Sequence, residues 1–406
     1  MLFWLLPLLS ASSAAVFWLW NARLCRACDA RLLEGEELLK AARYRHAMMA
    51  FDEGHILASR ILMGRGDRAI LCALGSAEAL KRGGDIANAY EAALTAFMLC
   101  GERPPAPYSL RLYTLLADLS VENGYPHRAI GLRQAAVAML RRSEPGSQAL
   151  AEQLAKLGQA LGSAGLTEHS AKALSDAAEV LRERAAEDPE LNGVYADVLV
   201  QLGSVSSKLG DYQQADQSLR AALPVAVHKV PVLRELGVLH CAWSRFDEAF
   251  AFFEEAYRIQ VRASGPSDTE VGLILSSYAD GLRKAGRLDA AEETAARAVR
   301  LLEVNQHPAV VSGLGTLATV LLAEGNYSRA VEVFERADEA SSIYRANPLD
   351  TAERLESHAV ALEALHRALD AEQMRTGASS IRSALASAPP AEELFDEKFD
   401  HLMPES

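Results

Sequence analysis

The sequence predicts an all-α protein, a solenoid of repeated helix hairpins, and three observations predict it. One residue pattern occurs twice, end to end, between Leu199 and Ala256. Prolines recur at a near-constant phase of that pattern along most of the chain. The composition, 50% hydrophobic over 406 residues, supplies a large apolar interior but exceeds the length at which a single core keeps growing.

The doubled pattern is the anchor of the reading. Leu202-Gly203, Gly210-Asp211-Tyr212, Ala215, Leu219 and Ala222 recur one unit later as Leu236-Gly237, Ser244-Arg245-Phe246, Ala249, Phe253 and Ala256. Small residues at Gly203, Ala215 and Ala222 let two helix backbones approach, and Leu219 and Phe253 fill the space between layers. This order of Leu-Gly, turn glycine, aromatic and Ala-x-x-x-Phe resembles the tetratricopeptide repeat (TPR), whose unit is an antiparallel helix pair. The resemblance implies a right-handed superhelical solenoid of about eight to nine TPR-like hairpins over residues 31–388.

The same unit is traceable by the small residue that opens the packed stretch of each second helix. These positions are Ala47, Ala89, Ala129, Ser170, Ala215, Ala249, Ala291, Ala330 and Ala371, most of them farther apart than the standard unit of the family would place them. Four positions downstream stand Phe51, Ala93, Arg133, Leu174, Leu219, Phe253, Ala295, Phe334 and Arg375. Arg133 and Arg375 depart from the pattern and mark degenerate repeats. Pro105, Pro107, Pro145, Pro189, Pro231, Pro266, Pro308, Pro348 and Pro389 follow the small positions at a near-constant distance. Proline breaks helix interiors and suits connections and first turns, so each marks the end of a unit. The longer unit, and the Gly265-Pro266-Ser267-Asp268 link, are similar to the repeats of kinesin light chains.

The opening stretch, Met1 to Trp20, carries no charge. A helix of that length rises about 30 Å, the thickness of bilayer hydrocarbon. Phe3 and Trp4 at one end and Phe17, Trp18 and Trp20 at the other suit two interfacial belts. Residues 1–20 are therefore expected to be a transmembrane anchor and 21–30 a juxtamembrane segment. Arg23, Arg26 and Arg31 place the bulk on the cytoplasmic side by the positive-inside rule, in a plasma or a mitochondrial membrane. The alternatives are a cleaved signal, with Leu5 to Leu9 as its apolar core and Ser12-Ser13-Ala14-Ala15 as its cleavage region, which would leave an exported or organellar soluble adaptor, and a buried first helix of the solenoid. Cys25 and Cys28 form a lone Cys-x-x-Cys. Without a second pair they lack two ligands of a structural zinc site, and acylation is the functional alternative to plain free thiols.

Function is expected to be protein binding. The resemblance implies that the first helix of each pair lines a concave face. Lys and Asn clamp chaperone tails on that face in some TPR proteins; here the equivalent positions hold Leu32 and Glu36, Leu74 and Glu78, Thr114 and Asp118, which argues against chaperone C-terminal tails. Glu36, Glu78 and Asp118 would stack as an acidic row, with Asp280 recurring later, and would attract a basic peptide. The net charge of −13 agrees with that partner and disfavours nucleic acid. Neither a zinc-protease helix motif, a nucleophile elbow nor a phosphate loop is present, so neither enzymatic activity nor a cofactor is expected. His240-Cys241 reads as a packed pair. From Ala391 onward, six acids and Leu394, Phe395, Phe399, Leu402 and Met403 at helical spacing make residues 389–406 an acidic tail or a terminal cap. The protein is thus expected to be a membrane-anchored scaffold for complex assembly, import or quality control.

Overall fold

A computed structural model of the protein describes residues 5–61, 65–100, 106–123, 126–344 and 348–386. Among the described residues there are eighteen α-helices and no strand. They fall into two compact units, one ending at Ala164 and one spanning Gly165–Pro389. The expected acidic segment 389–406 lies outside the described residues.

In the N-terminal unit, α1 (Leu5–Lys40) pairs with α2 (Tyr44–Ser59), α3 (Arg65–Arg82) with α4 (Ile86–Cys100), and α5 (Ala106–Glu122) with α6 (Pro126–Ser143), followed by α7 (Gln148–Ser163). The C-terminal unit begins with α8 (Thr167–Glu187) and continues as pairs α9 (Asn192–Lys208) and α10 (Tyr212–Ala222), α11 (Lys229–Ala242) and α12 (Phe246–Ser264), α13 (Thr269–Lys284) and α14 (Leu288–Val304). Two more pairs end it, α15 (Val310–Ala323) with α16 (Tyr327–Ile343) and α17 (Pro348–Ala364) with α18 (Ala368–Ala386). Within each unit, successive first helices such as α11, α13 and α15 also touch one another, which makes a continuous inner face.

The register read from small residues is the register of the core. All nine, from Ala47 to Ala371, are at most 1% exposed. The glycine contacts give the reason. Phe51 of α2 lies between Gly35 of α1 and Gly75 of α3, and a Cβ built on either glycine would stand 2.6 or 2.5 Å from its Cε1. Phe253 meets Gly237 in the same way, at 2.6 Å, and Leu219 meets Gly203 at 2.7 Å. A ring that fills a layer needs bare backbone opposite it, so anchor and glycine occur together.

Connections follow the expected punctuation. Pro145, Pro266 and Pro308 lie between helices, Pro189 opens a short 3-10 turn ahead of α9, Pro348 opens α17 and Pro231 sits in the first turn of α11. Between the helices of a pair the chain reverses through a left-handed residue, Gly286 at φ 76° and Gly325 at φ 79°, but Ser244 at φ 60°. There the Arg245 N–H donates to the His240 carbonyl at 2.8 Å and satisfies an end of α11.

The N-terminus departs from expectation. Helix α1 runs unbroken for 36 residues, with no boundary at residue 20 and no separate juxtamembrane segment over 21–30. Asn21 is already 5% exposed, and Cys28 is fully buried among Ala58, Ile61, Ala69 and Cys72. Protein packing therefore claims the helix from Asn21 onward. Cys28 donates its thiol proton to the Gly54 carbonyl at 3.3 Å, which removes it from the reach of an acylating enzyme. No helix among the described residues is long and apolar enough to cross a membrane, so the anchor expected over residues 1–20 is not supported. Residues 1–4 of that stretch lie outside the described chain.

Candidate functional site: two inner faces

In the N-terminal unit, the predicted acids stand on successive first helices, Glu36 on α1, Glu78 on α3 and Asp118 on α5. They do not form a free acidic row. Both carboxylate oxygens of Glu78 accept from Arg111, at 2.7 and 2.8 Å. Asp118 accepts from three cations, Arg133 at 2.8 Å, Lys81 at 3.0 Å and Lys156 at 3.3 Å. Burial raises the Asp118 carboxyl, but the Lys81 hydrogen bond and the charges of Lys156 and Arg133 outweigh it and hold the group below the usual carboxylate range. Glu36 alone of the three remains exposed. The reason the sequence misled is geometric. Lysine and arginine stems reach across to a neighbouring first helix along the inner face, so an acid is neutralised by cations that lie far from it in sequence.

Arg133 is the residue that sequence reasoning undervalued. It occupies the anchor position filled by Phe51 and Phe253 in other repeats, which read as degeneracy. In the structure it is 5% exposed, with one nitrogen on Asp118 and another 3.3 Å from the Gln153 side-chain oxygen. The position still fills the layer, with a guanidinium and its stem in place of a ring. An arginine at a core register, with an acid on the inner face before it, was the available signal.

The C-terminal unit presents a different inner face. A cavity of about 640 Å³ opens between α13, α15 and α17, and a second of about 240 Å³ between α11, α13 and α15. Asp280, Ser312 and Thr316 line both, so the two form one groove. Its floor on α15 is Ser312, Gly315, Thr316 and Thr319. These side chains are short, which leaves the groove open and lines it with hydroxyls able to hydrogen-bond a peptide backbone. Nothing in the sequence reading singled them out, although a helix face of Ser, Gly and Thr beside Leu314 and Leu317 was the signal.

Asp280 lies at the junction. It too is paired, with Arg283 at 2.7 Å and Lys284 at 2.8 Å. Burial raises its carboxyl, and the hydrogen bonds and charges of Lys284 and Arg283 prevail and lower it. The opposite wall is Arg354 of α17, 8% exposed, whose Nε and Nη2 stand 3.1 and 3.0 Å from Asp338 Oδ1. Asp338 Oδ2 lies 3.4 Å from His358 Nδ1, and His358 stacks on Phe334 with centroids 5.2 Å apart. Burial raises Asp338, yet the nearby His358 ring and the Arg354 charge and hydrogen bond hold it low. The exposed acids Asp350 and Glu353 line the same wall.

One other predicted feature is structural. His240 is fully buried, with Nε2 3.0 Å from Asp216 Oδ1 and its ring against Phe252 and Trp243. Among the described residues no group of three or more His, Cys, Asp or Glu side chains could hold a metal ion.

The comparisons agree with this architecture. Tetratricopeptide repeat models match residues 196–223, 229–304 and 270–341. No curated protein matches the chain. Among solved structures, a tetratricopeptide repeat protein from Parabacteroides merdae matches with a TM-score of 0.55 at 16% identity, over 71% of this chain and 97% of that one. A Rap protein complexed with competence and sporulation factor matches with a TM-score of 0.50 at 15% identity, over 89% of this chain and 99% of that one. Nearly identical TPR-like repeats of a Podosopora anserina kinesin light chain match at 16% identity over 49% of this chain and 98% of that one, with a TM-score of 0.43. At these identities the likeness is one of fold.

Proposed function

We propose that the protein is a non-catalytic scaffold whose C-terminal unit holds an extended peptide or a loop of a partner protein along its inner face. The observation that carries this reading is the groove of about 640 Å³ with a hydroxyl-lined floor and charged walls. Such a surface accepts backbone through hydroxyls and side chains through its walls. The exposed Asp350 and Glu353 favour a partner with basic residues, in keeping with the overall negative charge. The Rap protein, similar in fold, was crystallised with competence and sporulation factor, which favours a bound ligand on this fold as well. Crosslinked pull-down with the full chain, beside Thr316→Trp and Ser312→Trp, tests the reading. Filling the groove is expected to lower partner recovery at least ~10-fold, as for a blocked central anchor. Unchanged recovery from variants with an unchanged thermal midpoint overturns it.

A second reading concerns location and pathway. Val16, Trp18, Leu19 and Trp20 on α1 are 47 to 66% exposed, an apolar stretch followed by Arg23 and Arg26. We infer that this end attaches the scaffold to a membrane, cytoplasmic or mitochondrial, with the repeats on the side of the arginines, where assembly, import or quality control of neighbouring proteins would use it. Vesicle flotation of the full chain against a variant lacking residues 1–20 tests it. Equal flotation of both forms overturns attachment through this end.

A further inference from the structure

We propose that the outward face of α1 is a dimerisation surface, on which a second copy of this chain packs its own α1 in antiparallel. Among the described helices none precedes α1, so it lacks the earlier neighbour that α3 has. Helix α3 packs against α1 and α2 before it and α4 and α5 after it, whereas α1 packs on α2 and α3. The inward side of α1 is marked by the buried Asn21, Cys28, Gly35 and Leu39. Helical spacing puts Ala30 directly opposite them, and Ala30 is exposed.

The stripe centred on Ala30 carries apolar surface and both signs of charge, the signs in separate halves. Leu19 and Leu33, 66% and 63% exposed, and the exposed Ala27 supply the apolar part. Arg23 and Arg26 stand before the centre and Glu34 and Glu37 after it, all exposed. Arg23, Arg26 and Glu37 join no ion pair among the described residues. Glu34, whose Oε2 accepts from Arg31, stays half exposed.

The order of these charges specifies the occupant. Arg23 and Glu37 are equally far from Ala30 in sequence, and so are Arg26 and Glu34. A two-fold axis at Ala30 that pairs two α1 helices in antiparallel therefore sets the arginines of each copy against the glutamates of the other. A parallel pair would set arginine on arginine and glutamate on glutamate, which is repulsive. The face is thus complementary to itself, the condition for an isologous contact. Ala30 at the centre lets the two backbones approach, and Leu33 packs along the aliphatic stem of the facing Arg26. Exposed ion pairs add little stability each, so burial of Leu19 and Leu33 drives the association and the charges choose its direction. Antiparallel packing points the ends before residue 20 in opposite directions, which suits ends that lie along a membrane surface and not ends that cross it. The inference goes beyond the scaffold reading and makes no use of the groove.

Sedimentation velocity of the full chain at roughly 50 μM, where a dimer of micromolar affinity is populated, should show a dimer. Arg23→Glu with Arg26→Glu makes the face acidic throughout, and Glu34→Arg with Glu37→Arg makes it basic throughout. Each double variant alone should associate at least ~10-fold more weakly, because like charges then meet across the axis. Mixed in equal amounts, the two variants should form a heterodimer, a recovery that misfolded chains cannot give. A monomeric wild type, double variants that dimerise as the wild type does, or a mixture that stays monomeric overturns the proposal. A monomeric wild type whose flotation with phosphatidylserine vesicles is lost in Arg23→Glu with Arg26→Glu assigns the face to a membrane and overturns it equally.

Discussion

The inner faces of the two units are built on one repeat and end in opposite states. In the N-terminal unit, long side chains close over the surface: Arg111 lies on Glu78, and Lys81, Arg133 and Lys156 converge on Asp118. In the C-terminal unit the central first helix, α15, carries Ser312, Gly315, Thr316 and Thr319, and a groove remains between its neighbours. The difference teaches that register alone does not make a docking group. An acid at the inner position recruits a partner only if the next hairpin leaves it unsatisfied.

The largest expected effect comes from opening the closed face. Asp118→Asn removes the acid from three cations, one of them buried, and should cost about 2–3 kcal/mol in urea unfolding, somewhat less than a fully buried pair because Asp118 is partly exposed. The pH dependence follows the same group. Its folded value is depressed, so the folded chain binds fewer protons than the unfolded one. The stabilisation is fully present above about pH 4 and is lost as the pH falls through the depressed value. Asp280, Asp338 and Asp216 are lowered as well, so the wild-type melting temperature should fall steeply on acidification and that of Asp118→Asn less so. Parallel curves would show that the triple contact on Asp118 does not distinguish the closed face.

A smaller effect asks whether the units share their packing despite different faces. Gly75→Ala and Gly237→Ala each drive a Cβ to within 2.5 or 2.6 Å of a phenylalanine ring. The clash costs about 1–3 kcal/mol, partly offset by about 1 kcal/mol of helix propensity. Net losses of up to about 2 kcal/mol in both are expected. A penalty in one unit alone would mean that the ring-on-glycine contact is not common to them.

The smallest effect is a gain. Ser244 holds a left-handed turn that Gly286 and Gly325 hold elsewhere. Ser244→Gly relieves the Cβ strain and should stabilise by roughly 0.5–1 kcal/mol, read as a raised urea midpoint. A loss instead would show that the cap on α11 depends on the serine.

The sequence by itself determined the repeat, its phase and the core. Ala47 through Ala371 and the prolines are local signals, because close helix approach tolerates only small residues and connections tolerate proline, wherever the hairpin sits. Its reach ended at contacts between hairpins. That Arg133 would turn inward to Asp118, that Lys81 would cross to the next first helix, and that a groove would stay open over Thr316 depend on side chains far apart in sequence. The same holds at the N-terminus, where an uncharged run predicted a boundary at residue 20 and the burial of Asn21 and Cys28 joined the helix to the hairpin behind it. Periodicity records what a backbone needs from its own neighbours. Which charges are spent on one another, and which spaces stay open, is decided only when the layers stack.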